Sequence, residues 1–365
     1  MGHERTPRPC LDHFQHTRGL WPKPKFWIVL ILALCAATHT GCDARDECTR
    51  ITGAGASFPG PVYRAWSMSY HSCMGGEVIY DEVGSSQGIA TIKKGSVDFG
   101  ASDIPLDRDE LERHGLIQVP MLIGGVAVVV NLPGIKPGDL VFSGAILADL
   151  FLGNIRSWAD PAIKGLNPDL RLPDRPVIIV HRSDGSGTTW LFTRYLSAVS
   201  AKWRTGPSSG DRIHWPYGEG APRNAGVLRK VMETPGSVGY VNYTFAREAG
   251  IAFTGLINAS GKVVAPSLQT FYAAVGQGSS NTTNGTELTF VNLPGADCWP
   301  IVGATYLLLR KDIKGSRKAR SLIRLLTWCY DEGGDTALRL NYIPLPASLA
   351  EASIKKLRTG LLASS

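Results

Sequence analysis

The sequence lacks an apolar run long enough to span a bilayer. Its firmest charge-free apolar stretch, residues 26–37, falls short of the roughly 20 residues that a spanning helix needs. The preceding segment, residues 1–25, holds five basic side chains and two acidic ones. A basic segment followed by a short apolar one is typical of a secretory signal. We therefore predict a signal peptide over residues 1–41.

The seven cysteines never form a C-x-x-C pair, and none lies near a histidine cluster. This spacing argues against a zinc site. Two of the seven lie in the predicted leader. A third, Cys42, follows Gly41 in a pattern that resembles a bacterial lipoprotein cleavage site, with His39 where that pattern prefers leucine. We predict lipidation at Cys42 and a tether over residues 42–48.

The four remaining cysteines are an even number in an oxidising compartment, which favours two disulfides. Cys48 precedes a predicted strand, and Cys73 ends the helix that returns beside it. Cys298 and Cys329 stand in the same relation to a later strand and helix. The start of a strand and the end of its returning helix lie at one edge of a sheet. We therefore predict the pairs Cys48–Cys73 and Cys298–Cys329.

Nucleotide and nucleic-acid signatures are also absent. The chain has no G-x-x-x-x-G-K-[ST] segment, and no G-x-G-x-x-G segment followed by a suitably placed acidic residue. The formal net charge of +7 is mild, and no basic run is interleaved with aromatic residues. The sequence therefore predicts no nucleic-acid partner, no metal and no cofactor.

What the sequence does contain is a regular alternation of short apolar runs and segments of helical period. The run VAVVV at residues 126–130 is wholly apolar, as buried central strands are. Strand–helix alternation of this kind predicts an α/β fold with mainly parallel sheets.

Three junctions between a predicted strand and a predicted helix are rich in glycine and hydroxyl side chains. They read TGAGASFPG at residues 52–60, DEVGSSQG at 81–88 and HRSDGSGTT at 181–189. The first turn of a helix has free N–H groups and a positive dipole end. Glycine lets the backbone approach a ligand closely, and arginine suits oxyanions. The pattern favours several helix N-termini that converge on one anion.

The residues permit a second interpretation. GSSQG, residues 84–88, fits the G-x-S-x-G pattern of serine hydrolases. Ser86 would then be the nucleophile, and Asp184 and His214 could complete a triad. A secreted serine hydrolase is therefore the alternative hypothesis.

Six segments together resemble a known family. TGAGASFPGPVYRAW, GSSQGIATI, VDFGASDIPL, LIGGVAVVVNLPG, RSDGSGTTWLFTRYL and GSVGYVNYTFA are similar, in order and spacing, to the phosphate-binding proteins of bacterial high-affinity phosphate ABC transporters. The resemblance spans about residues 52–342. It implies a type II periplasmic binding-protein fold, in which hinge strands join two α/β domains around the ligand. Domain I would be residues 49–124 plus 303–365, and domain II would be residues 125–302.

The resemblance also implies a phosphate site. Asp103 would accept the proton of phosphate, and Asp184 would hold Arg182 in place. The phosphate contacts implied by the resemblance are those of Ser57, Phe58, Ser85, Asp103, Arg182, Ser186, Gly187 and Thr188.

The function implied in this way is capture of inorganic phosphate in the periplasm, without catalysis. The partners would be the permease and ATPase subunits of a phosphate ABC transporter. We expect a monomer that contacts the membrane only through its lipid anchor.

Overall fold

The structure is a computed structural model that describes residues 50–278 and 288–362. The predicted leader and tether, with Cys42 and Cys48, lie outside the described residues. Because Cys48 lies there, the Cys48–Cys73 pair stays a prediction. None of the helices in the described part of the chain is long and apolar enough to cross a membrane.

The strands follow one another as β1 Ile51–Gly55, β2 Val78–Glu82, β3 Phe99–Ser102, β4 Leu116–Val130, β5 Val141–Phe142, β6 Ile178–Arg182, β7 Glu219–Ala221, β8 Ser237–Asn242, β9 Gly255–Ile257, β10 Val263–Val264, β11 Thr289–Val291, β12 Ile301–Arg310 and β13 Ile343–Pro344.

The helices are α1 Gly60–Met74, α2 Ser85–Lys93, α3 Arg108–Arg113, α4 Gly144–Phe151, α5 Pro161–Leu166, α6 Gly187–Val199, α7 Ala201–Thr205, α8 Arg223–Glu233, α9 Tyr243–Ala249, α10 Leu268–Gln277, α11 Arg317–Asp331, α12 Gly334–Arg339 and α13 Ala347–Leu361, with a 3₁₀ turn at Lys311–Ile313.

The α/β class is confirmed, and the sheet is mixed. Ten strands form one sheet, in which β2-β1-β3-β12-β4-β8-β6-β7 run side by side while β11 and β13 pair with β12 and β4. The outer strands pair in parallel, as β2-β1-β3 on one side and β8-β6-β7 on the other. The two long strands between them, β12 and β4, pair antiparallel. The two parallel groups therefore follow the prediction, and β4 and β12 run between them.

Strand β4 connects the two parallel groups. Its residues 116–125 pair with β12, and its residues 126–130 pair with β8. The sequence contains two apolar runs here, residues 117–122 and 126–130, and the structure joins them in one strand. The strand continues through Pro120 because the register with β12 shifts at that point, and proline is tolerated at bulges.

The predicted disulfide Cys298–Cys329 is wrong, because both cysteines are free thiols. A strand of ten residues extends about 33 Å, whereas the following helix of 15 residues rises only about 22 Å. The end of α11 therefore does not reach back to the start of β12. Cys329 lies instead beside Leu307, late in the strand. Burial raises the pKa of the Cys329 thiol, which keeps it protonated.

Candidate functional site

The first junction places Ser57 and Phe58 between β1 and α1, and both side chains are buried. Ser57 Oγ accepts hydrogen bonds from the backbone N and the Nδ2 of Asn224, at 3.1 and 3.0 Å. The carbonyl of Phe58 accepts from the Tyr342 hydroxyl at 2.6 Å. Pro59 is the N-cap of α1, and a second proline follows in its first turn, where the missing N–H has no intrahelical role. The sequence therefore begins the helix directly after the two predicted contact residues.

The second junction turns at Gly84, whose φ of +91° favours glycine. A Cβ at this position would lie 2.6 Å from Asp184 Oδ2, so glycine is also needed for the close approach of the two turns. Ser85 begins α2 and is buried. Its Oγ accepts from the backbone N–H groups of Gly187, at 3.1 Å, and Asp103, at 3.3 Å. One hydroxyl therefore joins the second junction to the third.

The third junction follows β6. Ser186 is the N-cap of α6, and its hydroxyl accepts from the backbone N of Thr189 at 3.1 Å. Gly187 is the first residue of the helix. A Cβ there would lie 2.4 Å from the Cβ of Asp103 and 2.8 Å from Ser85 Oγ. Only glycine therefore lets the start of α6 approach α2 and Asp103 this closely.

Arg182 ends β6 and is 3% exposed. Its Nε and Nη2 donate to the two carboxylate oxygens of Asp184, at 2.7 and 2.5 Å. The remaining nitrogen, Nη1, lies 3.4 Å from Thr188 Oγ1, to which it donates. Burial acts to raise the pKa of Asp184, but the hydrogen bonds and charge of Arg182 outweigh it, and the pKa lies below its usual value. Asp184 is thus an ionised, paired group that fixes the guanidinium.

Asp103 directly follows β3 and is 1% exposed. Within the described part of the chain, its Oδ1 is buried and has no hydrogen-bond partner. Burial raises the pKa of Asp103 to about 7, although the Thr305 hydroxyl, Arg182 and Ser85 act to lower it. A buried carboxylate oxygen without a donor costs free energy. This atom therefore marks where a donor from a ligand would fit.

The eight predicted contact residues and Asp184 thus form one cluster around three helix starts. Residues 43–329 match the family model described as PBP superfamily domain. The chain is 42% identical over 344 residues to the phosphate-binding protein PstS of Xylella fastidiosa (strain Temecula1), covering 88% of this chain and 94% of the relative. It is 40% identical over 315 residues to PstS of Haemophilus influenzae, covering 86% and 94%.

This chain belongs to the PstS family. The family resemblance drawn from the six segments is thereby confirmed. Among solved structures, the chain is similar to a high-affinity periplasmic phosphate-binding protein (PfluDING) bound with phosphate, with a TM-score of 0.66 and 22% identity over 85% of this chain and 93% of that one. At that identity the likeness supports the fold alone.

The serine-hydrolase alternative is contradicted in this PstS-family chain. The hydroxyl of Ser86 donates to the carboxylate of Asp211 rather than to a histidine. Asp184 is occupied by Arg182, and the side chain of His214 is exposed to solvent. The three residues therefore do not form a triad. In addition, the described residues contain no group of three metal-ligating side chains.

Asn224 contacts the cluster and was missed by the sequence interpretation. It is fully buried near the start of α8. Besides its bonds to Ser57, its Nδ2 lies 3.3 Å from Thr188 Oγ1, to which it donates, and its Oδ1 accepts from the backbone N of Asn242 at 2.9 Å. Residues 205–224 are rich in glycine, proline and polar residues, and the sequence of this segment is therefore typical of a loop. The available signal was Pro222-Arg223-Asn224, a fourth strand–helix junction that lacks glycine.

Proposed function

We propose that this chain binds inorganic phosphate and delivers it to the permease and ATPase subunits of an ABC importer. The observation that supports this most is Asp103 Oδ1, which has no hydrogen-bond partner among the described residues and is buried beside Arg182 and the starts of three helices. The described cluster combines many donors with one unsatisfied acceptor. A protonated oxyanion satisfies both, and phosphate at neutral pH is such an ion. The names of the PstS relatives and of the phosphate-bound structure agree with this proposal.

The contacts with phosphate would divide by chemistry. The helix starts at Phe58, Ser85 and Thr188 would offer backbone N–H groups to the phosphate oxygens. Hydroxyls of Ser57 and Ser186 flank these positions. Nη1 of Arg182 would bind an oxygen while Asp184 holds the other edge of the guanidinium. No catalytic step is part of this proposal.

Asp103 would select phosphate against sulfate. A carboxylate only accepts hydrogen bonds, and the P–O–H group of phosphate supplies one donor to Oδ1. Sulfate has no proton at neutral pH, so two negative oxygens would meet without a hydrogen between them. Sites built around such a bond reject the analogue that lacks it by about 10⁴–10⁵.

We further propose that the two parallel strand groups are two domains that close on the ligand. Domain I would comprise residues 49–124 plus 303–365, and domain II residues 125–302. Strand β4 changes its pairing partner from β12 to β8 between residues 125 and 126, next to the proposed boundary. The bonds from Asn224 to Ser57 and from Gly187 to Ser85 cross between the groups. These two hydrogen bonds would break when the domains separate and phosphate leaves.

The proposed compartment is the periplasm. The basic segment and the apolar stretch at residues 26–37 support a secretory signal, and Gly41-Cys42 supports lipid attachment at Cys42. One acyl chain gives only marginal membrane binding, so stable attachment would need more than one. The intact mass of membrane-extracted protein tests this, because a mature N-terminus at any other residue would contradict lipidation.

The test of the binding proposal is a pair of calorimetric titrations, with phosphate and with sulfate, at pH 8. The wild type should bind one phosphate tightly and sulfate weaker by about 10⁴ or more. Asp103→Asn should narrow the gap, mainly by easing the penalty on sulfate, since an amide can turn its NH₂ group toward an oxyanion. Asp169→Asn, at an exposed position, is the matched control and should keep the full gap.

Two outcomes would contradict the proposal. The first is a wild type that binds sulfate nearly as well as phosphate, which would exclude the assigned role of Asp103. The second is consumption of the ligand, or turnover in an ester-hydrolysis assay, which would indicate an enzyme. Equilibrium dialysis with labelled phosphate, followed by recovery of the label as free phosphate, separates binding from catalysis.

A further inference from the structure

Ser86, the centre of the GSSQG segment, makes a contact that neither phosphate binding nor hydrolysis explains. Its hydroxyl donates to Oδ2 of Asp211, 125 residues away in the chain. Asp211 lies in the segment 206–218, between α7 and β7. The contact therefore joins the start of α2 to a segment that packs on the other strand group.

The main chain of Asp211 makes a second contact, with the start of α6. The carbonyl of Asp211 accepts from the backbone N of Ser186 at 3.0 Å. The backbone N of Ser86 in turn donates to the carbonyl of Gly185 at 3.3 Å. Asp211 thus touches both helix starts, the second junction through its carboxylate and the third through its carbonyl.

Gly185 lies where these three segments meet. A Cβ at this position would lie 2.1 Å from Ser86 Oγ and 3.2 Å from Asp211 Oδ2. Any larger residue would therefore push the hydroxyl and the carboxylate aside. The space left by this glycine is what allows the contact between Ser86 and Asp211.

We propose that Asp211 is a positioning residue that ties the second helix start to the third and thereby slows the release of phosphate. This inference rests on the proposed function. Asp211 contacts Ser86 and Ser186. The residues next to them in sequence, Ser85 and Gly187, belong to the proposed phosphate contacts. Phosphate leaves only when the two helix starts separate, and separation breaks the bond from Ser86 to Asp211. The bond forms after the starts have met, so it affects dissociation more than association.

The test measures release of labelled phosphate into an excess of unlabelled phosphate. Asp211→Ala and Ser86→Ala should each raise the dissociation rate about tenfold, as expected for loss of one hydrogen bond. The association rate should change by less than about twofold. The double variant should release phosphate no faster than either single variant, because both remove the same bond. Asp211→Asn keeps an oxygen acceptor and should stay within about twofold of the wild type.

Matched controls are Asp169→Ala and Ser72→Ala, two exposed positions away from this contact; both should release phosphate at the wild-type rate. An unchanged dissociation rate in Asp211→Ala would overturn the proposal. So would multiplied effects in the double variant, or an Asp211→Asn as fast as Asp211→Ala.

Hydrogen exchange on the phosphate-bound proteins provides a second readout, because the bond from Ser86 to Asp211 is formed only while the two helix starts are together. Asp211→Ala should speed exchange in both segments 84–88 and 185–189, whereas Asp169→Ala should not. Faster exchange confined to residues 206–218 would overturn the proposed tie. Failure of the wild type to bind phosphate would instead overturn the proposed function.

Discussion

The two sides of the site contain the same side chain in opposite states. Asp184 has a guanidinium on both oxygens and a pKa below its usual value. Asp103 has one oxygen without a hydrogen-bond partner in residues 50–278 and 288–362, and its pKa is raised to about 7. Burial acts to raise both pKa values, so the difference comes from the partner. A carboxylate already paired within the protein serves to hold another group, whereas an unpaired one retains capacity for a ligand.

The largest expected difference between the two is in how stability depends on pH. The pKa of Asp103 in the folded protein, about 7, lies well above the ordinary carboxyl value of 3.8. The folded protein therefore holds a proton that the unfolded chain has lost, and stability falls as pH rises from about 4 to about 7. Asp103→Asn has no ionisable group at this position, so the fall in stability between about pH 4 and about pH 7 that Asp103 causes is absent. At pH 8, without phosphate, it should raise the free energy of unfolding by up to about 4 kcal/mol.

Asp184→Asn should change the free energy of unfolding in the opposite direction to Asp103→Asn. Because the folded-state pKa of Asp184 is lowered, its carboxylate stabilises the fold above its unfolded pKa, and this stability is lost as pH falls through the folded value. Asp184→Asn should therefore destabilise the protein at pH 8. Urea unfolding at pH 5 to 8 in phosphate-free buffer measures the free energy of unfolding of both variants. Shifts of the same sign in the two variants would refute the comparison.

The contrast between local and distant contacts explains what the sequence could predict. Ser57, Ser85 and Ser186 lie at strand–helix junctions, where glycine and hydroxyl residues cluster within a few positions. Such local patterns are readable without a fold. Asn224 contacts Ser57 across 167 positions, and Asp211 contacts Ser86 across 125. No local pattern marks these partners, because only the sheet order brings them together.

The wrong prediction of the Cys298–Cys329 pair has one cause, which is the length of strand β12. The Cys298–Cys329 pair assumed that β12 and α11 are equally long. Strands β4 and β12 have 15 and 10 residues and pass between the two parallel groups. Their lengths depend on tertiary pairing, which propensity does not determine.

Arg182→Lys should have the next largest effect, which is a loss of phosphate affinity. The substitution breaks the pair of hydrogen bonds between Arg182 and Asp184. Arg182 uses two nitrogens for Asp184 and one toward Thr188. Lysine has a single nitrogen and cannot hold the carboxylate and bind a ligand in the same fixed plane. We expect phosphate affinity to fall about 100-fold, or about 2.7 kcal/mol. Calorimetry measures this, with circular dichroism as the control for folding. An unchanged affinity would remove Arg182 from the site.

Asp184→Asn should have the smallest effect on phosphate affinity. Whether the affinity rises or falls shows whether Asp184 acts through its charge or by holding Arg182. Removing a negative charge near an anion reduces repulsion, which alone would strengthen phosphate binding. Removing the carboxylate also frees the guanidinium, because an amide accepts from one Arg182 nitrogen and opposes the other with its own NH₂ group.

Asp184 is partly exposed, with 19% of its side chain accessible, so solvent screens the repulsion. The orientation of Arg182 depends directly on the two bonds. We therefore expect phosphate affinity to fall about tenfold, or about 1.4 kcal/mol. Calorimetry at low and high salt measures it. Tighter binding by Asp184→Asn, most marked at low salt, would show that Asp184 acts through its charge rather than by holding Arg182.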